Sequence, residues 1–417
     1  MNVMPCVVSL PGVRNYAVIS PGLLLFGLGA TPDDLTSLVN EAQNDTVDTA
    51  EAHDDAFSTI GLIPTFDCNQ RCIYCYSKGG ETCEIMPLDI AKDTIRYLKE
   101  SEKQDVLKIH LVGGGEPLLN KQWIFEVSQY ASALFKVVEF HIVSNGTFDD
   151  DVLQWIFAHN CVVRISYDGA MHESQRPLAT GKSSKELVRS NIKALVSHPV
   201  PVMVQCIITA PGLGTLRQTI DDVASMGVEV IKFEAARATD VSRFVPGIEP
   251  NPCEYAAALL DAIAYVGENY PDMMVDTGYF SEPSEDYYCG MCGGNKMLTP
   301  HGLITACLEV SRPTDPYAEQ LIFGSVVNGT VILNQDKLDY LSGLNYTEEL
   351  GGCLICNLRM ICHGGCPMEG IWEYGFPLRK SSYNCKVAHS FLPRLLLLLA
   401  ENPDLAKVLT NDPDITC

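Results

Sequence analysis

Between Ser58 and Ala236 the chain alternates two rhythms of apolar and polar positions. Short apolar runs (STIGLIPT, VLKIHLVG, VVEFHIVSN, CVVRISYDG, VPVMVQCIIT and VEVIKFEAA) are rich in β-branched residues. Between them lie segments whose apolar residues recur every three or four positions: PLDIAKDTIRYLKES, KQWIFEVSQYASALF, DDDVLQWIFAHN, SSKELVRSNIKALVSH and TLRQTIDDVASMG. The first pattern predicts buried strands and the second amphipathic helices. Six strands alternating with five helices predict an α/β fold with a parallel sheet. Right-handed crossovers then roll the sheet into a partial (β/α)6 barrel, TIM-like in layout. In such barrels the loops at the strand C-termini carry the chemistry. Three segments fall at that end: TFDCNQRCIYCYSKGG after the first strand, GGGEP after the second, and SNGT closing the third.

The pattern differs on either side of residues 58–236. Residues 1–43 hold the apolar segments YAVIS and GLLLFGLG, then TPDDLTSLVNEA, where Thr31 can cap a helix and Pro32 suits its first turn. They predict a small N-terminal β/α segment. Residues 44–57 contain the acidic, aperiodic QNDTVDTAEAHDD and read as a linker. Residues 237–385 suggest one helix, over 253–268, and are otherwise rich in Cys, Gly and turns. That composition fits a small domain held by metal centres rather than by a large core. Residues 386–417 carry a last helix, from about Lys386 to Ala400, and a tail. Its greasiest run, FLPRLLLLLA, is far short of the ~18 residues a bilayer span requires.

Composition narrows the function classes. A chain of 417 residues with 47% hydrophobic content can form two or three domains. A net charge of -23 repels nucleic-acid backbones and anionic membranes, so neither is an expected partner. The first thirty residues lack the basic and apolar stretches of a secretory signal, and a cytoplasmic location is expected. In that reducing compartment, 17 cysteines point to metal or cluster ligation rather than to disulfides. Three lie between Cys68 and Cys75, three between Cys289 and Cys307, and five between Cys353 and Cys385. Cys6, Cys83, Cys161, Cys206, Cys253 and Cys417 are scattered and read mostly as small apolar residues.

Cys68, Cys72 and Cys75 form a CxxxCxxC array, with Tyr74 just before the last thiol. Zinc would close with a fourth Cys or His nearby, and none follows at ribbon spacing. A [4Fe–4S] cluster on three thiolates leaves one iron open to a substrate or cofactor. The array resembles the signature of the radical S-adenosylmethionine (radical SAM) superfamily, and the resemblance runs from about Ser58 to Ala236. It implies that the open iron chelates the amino and carboxylate groups of SAM. One electron then cleaves SAM to methionine and a 5′-deoxyadenosyl radical. GGGEP (Gly113, Gly114, Gly115, Glu116 and Pro117) is similar to the family's GGE motif, whose backbone and Glu116 are implied to hold the SAM amino group. Glycines permit close approach to a ligand, and a carboxylate complements an ammonium. SNGT and ISYDG match positions that line the SAM pocket, which makes Asn145 and Ser166 candidate contacts to the nucleoside. Arg176, in DGAMHESQRPLATG, is the implied partner of the SAM carboxylate, and Tyr74 is implied to pack near the adenine.

A second constellation lies downstream. Cys292 to Cys307 reads Cx9Gx4C, Cys353 to Cys366 reads Cx2Cx5Cx3C, and Cys385 follows. Two zinc ribbons are the alternative metal reading, since Cx2C knuckles serve both metals. The spacings resemble the SPASM domain, an extension of radical SAM enzymes that binds two auxiliary [4Fe–4S] clusters. The resemblance implies Cys289, Cys292, Cys307 and Cys366 for the first and Cys353, Cys356, Cys362 and Cys385 for the second. Fully ligated clusters would pass electrons rather than bind substrate. His301 and His363 read as spacers.

Three [4Fe–4S] clusters and SAM are therefore the expected cofactors. The resemblance implies a maturase that installs a thioether or carbon–carbon cross-link in a ribosomally synthesised precursor peptide. A leader peptide could dock on residues 1–43, which read alternatively as a β/α cap packed on the barrel, and flavodoxin or ferredoxin could supply electrons. An anaerobic sulfatase maturase, forming formylglycine, is the alternative. Those enzymes carry an Asp directly after the Cx9Gx4C cysteine, where this chain has Leu308 and then Glu309. A non-catalytic iron–sulfur carrier or scaffold is a third reading, disfavoured by the GGGEP motif.

Overall fold

The computed structural model describes residues 5–20, 23–44, 57–237, 243–280, 289–291, 294–344, 352–353, 355–375 and 380–409. Nearly all of the expected linker, the end of the tail, Cys292 and Cys417 lie outside the described residues.

The chain begins with an antiparallel meander of β1 (Cys6–Ser9), β2 (Tyr16–Ser20) and β3 (Leu23–Gly27), against which α1 (Pro32–Asn44) packs. The Thr31 hydroxyl accepts from the Asp34 N–H at 3.2 Å, and the Asp34 carboxylate accepts from the Thr31 N–H at 2.8 Å. This reciprocal cap satisfies backbone donors at the helix start.

The six predicted strands form β4 (Phe57–Leu62), β6 (Val106–Leu111), β7 (Val137–Ser144), β8 (Asn160–Ser166), β9 (Val202–Ile208) and β10 (Val230–Ala235). A two-residue strand, β5 (Tyr74–Cys75), lies in the loop after β4 and pairs with β11 (Arg243–Phe244). The five predicted helices appear as α2 (Leu88–Glu102), α3 (Lys121–Leu134), α4 (Asp150–Ala158), α6 (Lys185–Val196) and α7 (Leu216–Ala224), with a short α5 (His172–Gln175) before α6. The helix expected over 253–268 is α8 (Pro252–Asn269). A further parallel strand, β12 (Met274–Asp276), joins β10, giving the order β12-β10-β9-β8-β7-β6-β4. With three residues, β12 is too short to show a period in the sequence.

One face of each barrel strand packs outward against the helices, through buried residues such as Leu107, Ile109, Phe140, Ile142, Val163, Ile165, Ile231 and Phe233. Alternation then turns the intervening side chains inward. The interior is polar: His110 and His141 lie ring to ring at 4.8 Å, Gln205 donates to Glu234 at 2.6 Å, and Lys232 pairs with Asp276 at 2.9 Å.

The sheet does not stop at β4. β13 (Met297–Leu298) runs parallel to it, and β14 (Leu303–Thr305), β15 (Ile322–Val327) and β16 (Thr330–Leu333) follow antiparallel, completing an 11-stranded sheet. The Cys-rich region is thus continuous with the barrel, a join that two residues of strand could not announce in the sequence. Gly61 makes it possible, because a Cβ there would lie 1.9 Å from the Met297 sulfur. The last helix spans Ser382–Glu401 and packs on α8. It starts four residues before the expected Lys386, since the Ser381 hydroxyl caps it by accepting from the Asn384 N–H at 3.3 Å. Cys385 consequently sits in its first turn. Among the described residues no helix is long and apolar enough to cross a membrane.

Candidate active site

Cys68, Cys72 and Cys75 lie on the loop that leaves β4 at the C-terminal end of the barrel. Arg71 ties the loop to itself, donating to the Cys68, Gln70 and Gly80 carbonyls at 2.6, 2.8 and 2.8 Å. Each thiol has a nitrogen beside it. Asn145 Nδ2 is 3.9 Å from Cys68 Sγ, Arg176 Nη1 is 3.9 Å from Cys72 Sγ, and the Gly79 N–H donates to Cys75 Sγ at 3.3 Å. Burial, then Glu116, and more weakly the other two thiols push the Cys68 pKa up to about 12. Among the described residues no three His, Cys, Asp or Glu side chains converge on a single-ion site.

GGGEP lies directly against this loop. A Cβ on Gly115 would fall 1.9 Å from the Asp67 carbonyl oxygen, and one on Gly114 would fall 2.3 Å from the Phe66 ring. The glycines therefore permit this loop-on-loop packing. The Gly115 and Glu116 N–H groups donate to Thr65 and Asp67 at 2.9 and 2.8 Å, and the Tyr76 and Ser77 hydroxyls cap the Gly113 and Gly114 carbonyls. Glu116 is 4% exposed. Its carboxylate accepts from the Asn145 N–H, the Ser144 hydroxyl and the Leu118 N–H at 2.6, 2.8 and 3.1 Å. Burial pushes its pKa up to about 7, against the pull of these bonds. Glu116 thus fastens the end of β7 beneath the cysteine loop, and Asn145 extends the connection by donating to Asn69 at 2.8 Å.

Asp168, within ISYDG and carrying no role legible from the sequence, organises the other side. It is 1% exposed and accepts from the Tyr74 hydroxyl, from Gln175 Nε2 at 2.7 Å, from Arg176 Nε at 2.9 Å and from the Ile207 N–H at 3.0 Å. The Arg176 guanidinium lies 5.3 Å from the centre of the Tyr74 ring. Tyr74 is therefore part of the packed layer under the cysteine loop. Behind it His172 is buried, with Nε2 3.1 Å from the Ser184 hydroxyl, and burial drives its pKa down to about 4. Ser166 is half-buried at the end of β8, in register with Gln205. The available signal for Asp168 was an acid eight residues before an arginine in a turn-rich segment.

The downstream thiols gather in two groups. Cys289, Cys307 and Cys366 are mutual neighbours, and burial, followed by Glu369 and then these thiols, raises the Cys366 pKa. Cys353, Cys356, Cys362 and Cys385 form the other group, where burial and then Cys353 push Cys362 up to about 12. His389, not singled out in the sequence, has Nε2 3.8 Å from Cys356 Sγ. His363 occupies a turn with φ 50°, its Nε2 3.0 Å from the Met360 carbonyl, and His301 is exposed beside Phe66. Arg237, just beyond β10, joins the barrel to this region through Glu369 at 2.5 Å and Asn384 at 3.0 Å. Of the scattered cysteines, Cys6, Cys161 and Cys206 are buried, whereas Cys83 and Cys253 are exposed and do not read as core.

Comparison with known proteins yields a match over residues 62–226 to the model of the radical SAM superfamily. An uncharacterized protein, MJ0907, of Methanocaldococcus jannaschii is 28% identical over 184 residues, covering 43% of this chain and 63% of that protein, less than two thirds of its length. A serine-type anaerobic sulfatase-maturating enzyme of Klebsiella aerogenes is 22% identical, covering 72% and 77% of the two chains. The mycofactocin maturase MftC of Mycobacterium ulcerans is 24% identical, covering 77% and 85%. Among solved structures, anSMEcpe with bound AdoMet and Kp18Cys peptide superposes with a TM-score of 0.68 at 15% identity, covering 83% of this chain and 99% of that one. Streptococcus suis SuiB bound to the precursor peptide SuiA gives 0.55 at 14% identity, covering 79% and 76%. These likenesses show a shared fold.

Proposed function

We propose that this chain, matched over residues 62–226 by the radical SAM superfamily model, is a maturase that modifies a ribosomally synthesised precursor peptide by installing a thioether or carbon–carbon cross-link. The observation that carries this reading is a set of three thiols on the loop at the barrel mouth, backed by two further groups of thiols in the Cys-rich region. Cys68, Cys72 and Cys75 hold the initiating cluster. The second group, with Cys289, Cys292, Cys307 and Cys366, and the third, with Cys353, Cys356, Cys362 and Cys385, hold closed auxiliary clusters. When bound, the first cluster and SAM supply a 5′-deoxyadenosyl radical that takes hydrogen from the peptide.

The chain's own residues prepare that chamber. The nitrogens of Asn145, Arg176 and Gly79 beside the three sulfurs moderate their charge. Arg176 keeps Nε on Asp168 and turns Nη1 toward Cys72, an orientation suited to the SAM carboxylate. Asn145 and Ser166 would contact the nucleoside, Gly113, Gly114, Gly115 and Glu116 would hold the SAM amino group while keeping the facing loop in place, and Tyr74 supports the cysteine loop from below. The barrel walls exclude water, which protects a radical from side reactions. The meander of β1–β3 with α1 docks the leader peptide, and flavodoxin or ferredoxin delivers electrons in the reducing cytoplasm.

Sulfatase maturation is the second reading, favoured by the likeness to the Klebsiella aerogenes enzyme. Leu308 follows Cys307 where those enzymes carry an Asp. The nearby Glu309 accepts from Trp372 Nε1 at 2.8 Å, and burial pushes its pKa up to about 6. Anaerobic incubation of the reconstituted protein with SAM and dithionite tests the enzyme reading through 5′-deoxyadenosine, and a yield no greater than blank overturns it. Three clusters require on the order of 12 irons per chain, and a content near four removes the auxiliary pair.

A further inference from the structure

Arg164 is the inward-facing residue of β8 one layer below Ser166. Its backbone is in register with Val143 on β7 and Met203 on β9. The side chain climbs from there: Nη1 reaches Gln205 Oε1 at 3.5 Å, and Gln205 lies two residues beyond Met203 on β9. The guanidinium is therefore aimed along the strands toward their C-terminal ends and the cysteine loop. Arg164 is 6% exposed, and its Nε and Nη2 meet no acceptor among the described residues. Arginine keeps its charge in proteins, and a buried charge without a partner is strongly destabilising.

The carboxylates around it are engaged elsewhere. Glu234 accepts from Gln205 Nε2 at 2.6 Å and lies 3.6 Å from Lys232 Nζ. Asp276 pairs with Lys232 at 2.9 Å, and Glu139 lies 3.8 Å from His141 Nε2. Ser166, Gln205, Lys232 and Asp276 occupy one row, in register across β8, β9, β10 and β12. The row forms a polar shelf at the level Arg164 reaches. Nε and Nη2 share one edge of the guanidinium, the edge that grips a carboxylate through two parallel hydrogen bonds.

We propose that Arg164 anchors a carboxylate-binding site inside the barrel. The carboxylate has two possible sources: the methionine end of SAM, or the substrate peptide, through its C-terminus or an acidic side chain. The second source rests on the reading of the barrel as a peptide-modifying chamber. Arg176, already beside Cys72, is placed for the first, which leaves Arg164 for the second.

The test uses reconstituted holoenzyme and two pairs of probes, SAM against decarboxylated SAM and N-acetylglycylglycine against its C-terminal amide. Binding is read by calorimetry and by the shift in Tm. The wild type is expected to bind the free-acid dipeptide and not the amide. Arg164→Met should abolish that preference while melting at or above the wild-type temperature without ligand, since a buried charge has been removed. Arg164→Lys, which keeps charge but loses the two-pronged edge, should weaken binding at least tenfold. If Arg164→Met fails to fold, Arg164→Gln provides the same comparison. A tenfold or greater loss of the preference for SAM over decarboxylated SAM, with the dipeptides indifferent, upholds the site and makes SAM its source. Wild type and variants alike in both pairs overturn the proposal, as does loss of Tm with carboxylate binding intact. Production of 5′-deoxyadenosine is measured alongside. Its presence without carboxylate discrimination defeats Arg164 alone, and its absence with discrimination intact defeats the maturase reading alone.

Discussion

Cys68, Cys72 and Cys75 occupy a loop fixed by groups that belong to other parts of the fold: the GGGEP glycines packed on its backbone, Asn145 beside Cys68, and Arg176 held by Asp168. Cys353, Cys356, Cys362 and Cys366 sit instead among turns and helices of four and eight residues, with His363, Gly364 and Gly365 at successive positive φ angles. The first loop is shaped by the protein around it, as the open site of the proposed function requires. On that same proposal the second region would gain its order from the metal its thiols bind, and metal would act there as core.

The largest test of this contrast is iron removal. Chelation under reducing conditions is expected to raise amide hydrogen exchange sharply across residues 352–375 while residues 58–236 keep their protection. Equal loss in both would break the distinction. Cysteine replacement sharpens it further. Cys72→Ala should reduce 5′-deoxyadenosine to blank with little change in Tm. Cys356→Ala should lose on the order of four irons and lower Tm, yet retain cleavage of SAM in the absence of peptide.

A smaller effect is confined to the barrel. Asp168→Asn leaves Arg176 buried without its counter-charge, which should destabilise the fold by about 3–5 kcal/mol in chemical denaturation and cut SAM cleavage. An unchanged midpoint would mean that Arg176 finds another partner. His172 gives the mildest perturbation. Its folded pKa of about 4 lies below the ordinary 6.5, so above pH 6.5 it is neutral in both states and stability is full. As pH falls from 6.5 toward 4 the unfolded chain takes up a proton that the folded one refuses. Stability should drop by up to about 3 kcal/mol across that window. His172→Gln should flatten that part of the pH profile, and an identical acid dependence in the variant would show that other groups control it.

Much of this was legible in the chain. The six long barrel strands and their helices each span enough residues to show a period, and their order in the sheet followed from the right-handed crossover. The cysteine spacings were equally plain. β12 and β13, with three and two residues, show no period, so the seventh parallel strand and the join between barrel and Cys-rich region were invisible. The glycines of GGGEP signalled close approach, and the folded chain shows the Phe66 ring against Gly114 and the Asp67 carbonyl against Gly115.

What the sequence determined by itself is therefore local: the alternation that makes a barrel, the three-thiol array at its mouth, and the thiol spacings downstream. Tertiary structure decided which polar group answers which. Asp168 holds Tyr74, Gln175 and Arg176 together, Glu116 is turned inward to β7, and Arg164 is carried into the barrel with two nitrogens unanswered. The reason is physical. Periodicity and spacing depend on the order of residues along one strand or loop, whereas burial, charge and hydrogen bonding depend on strands brought alongside from distant parts of the chain, as Met297 is beside Gly61.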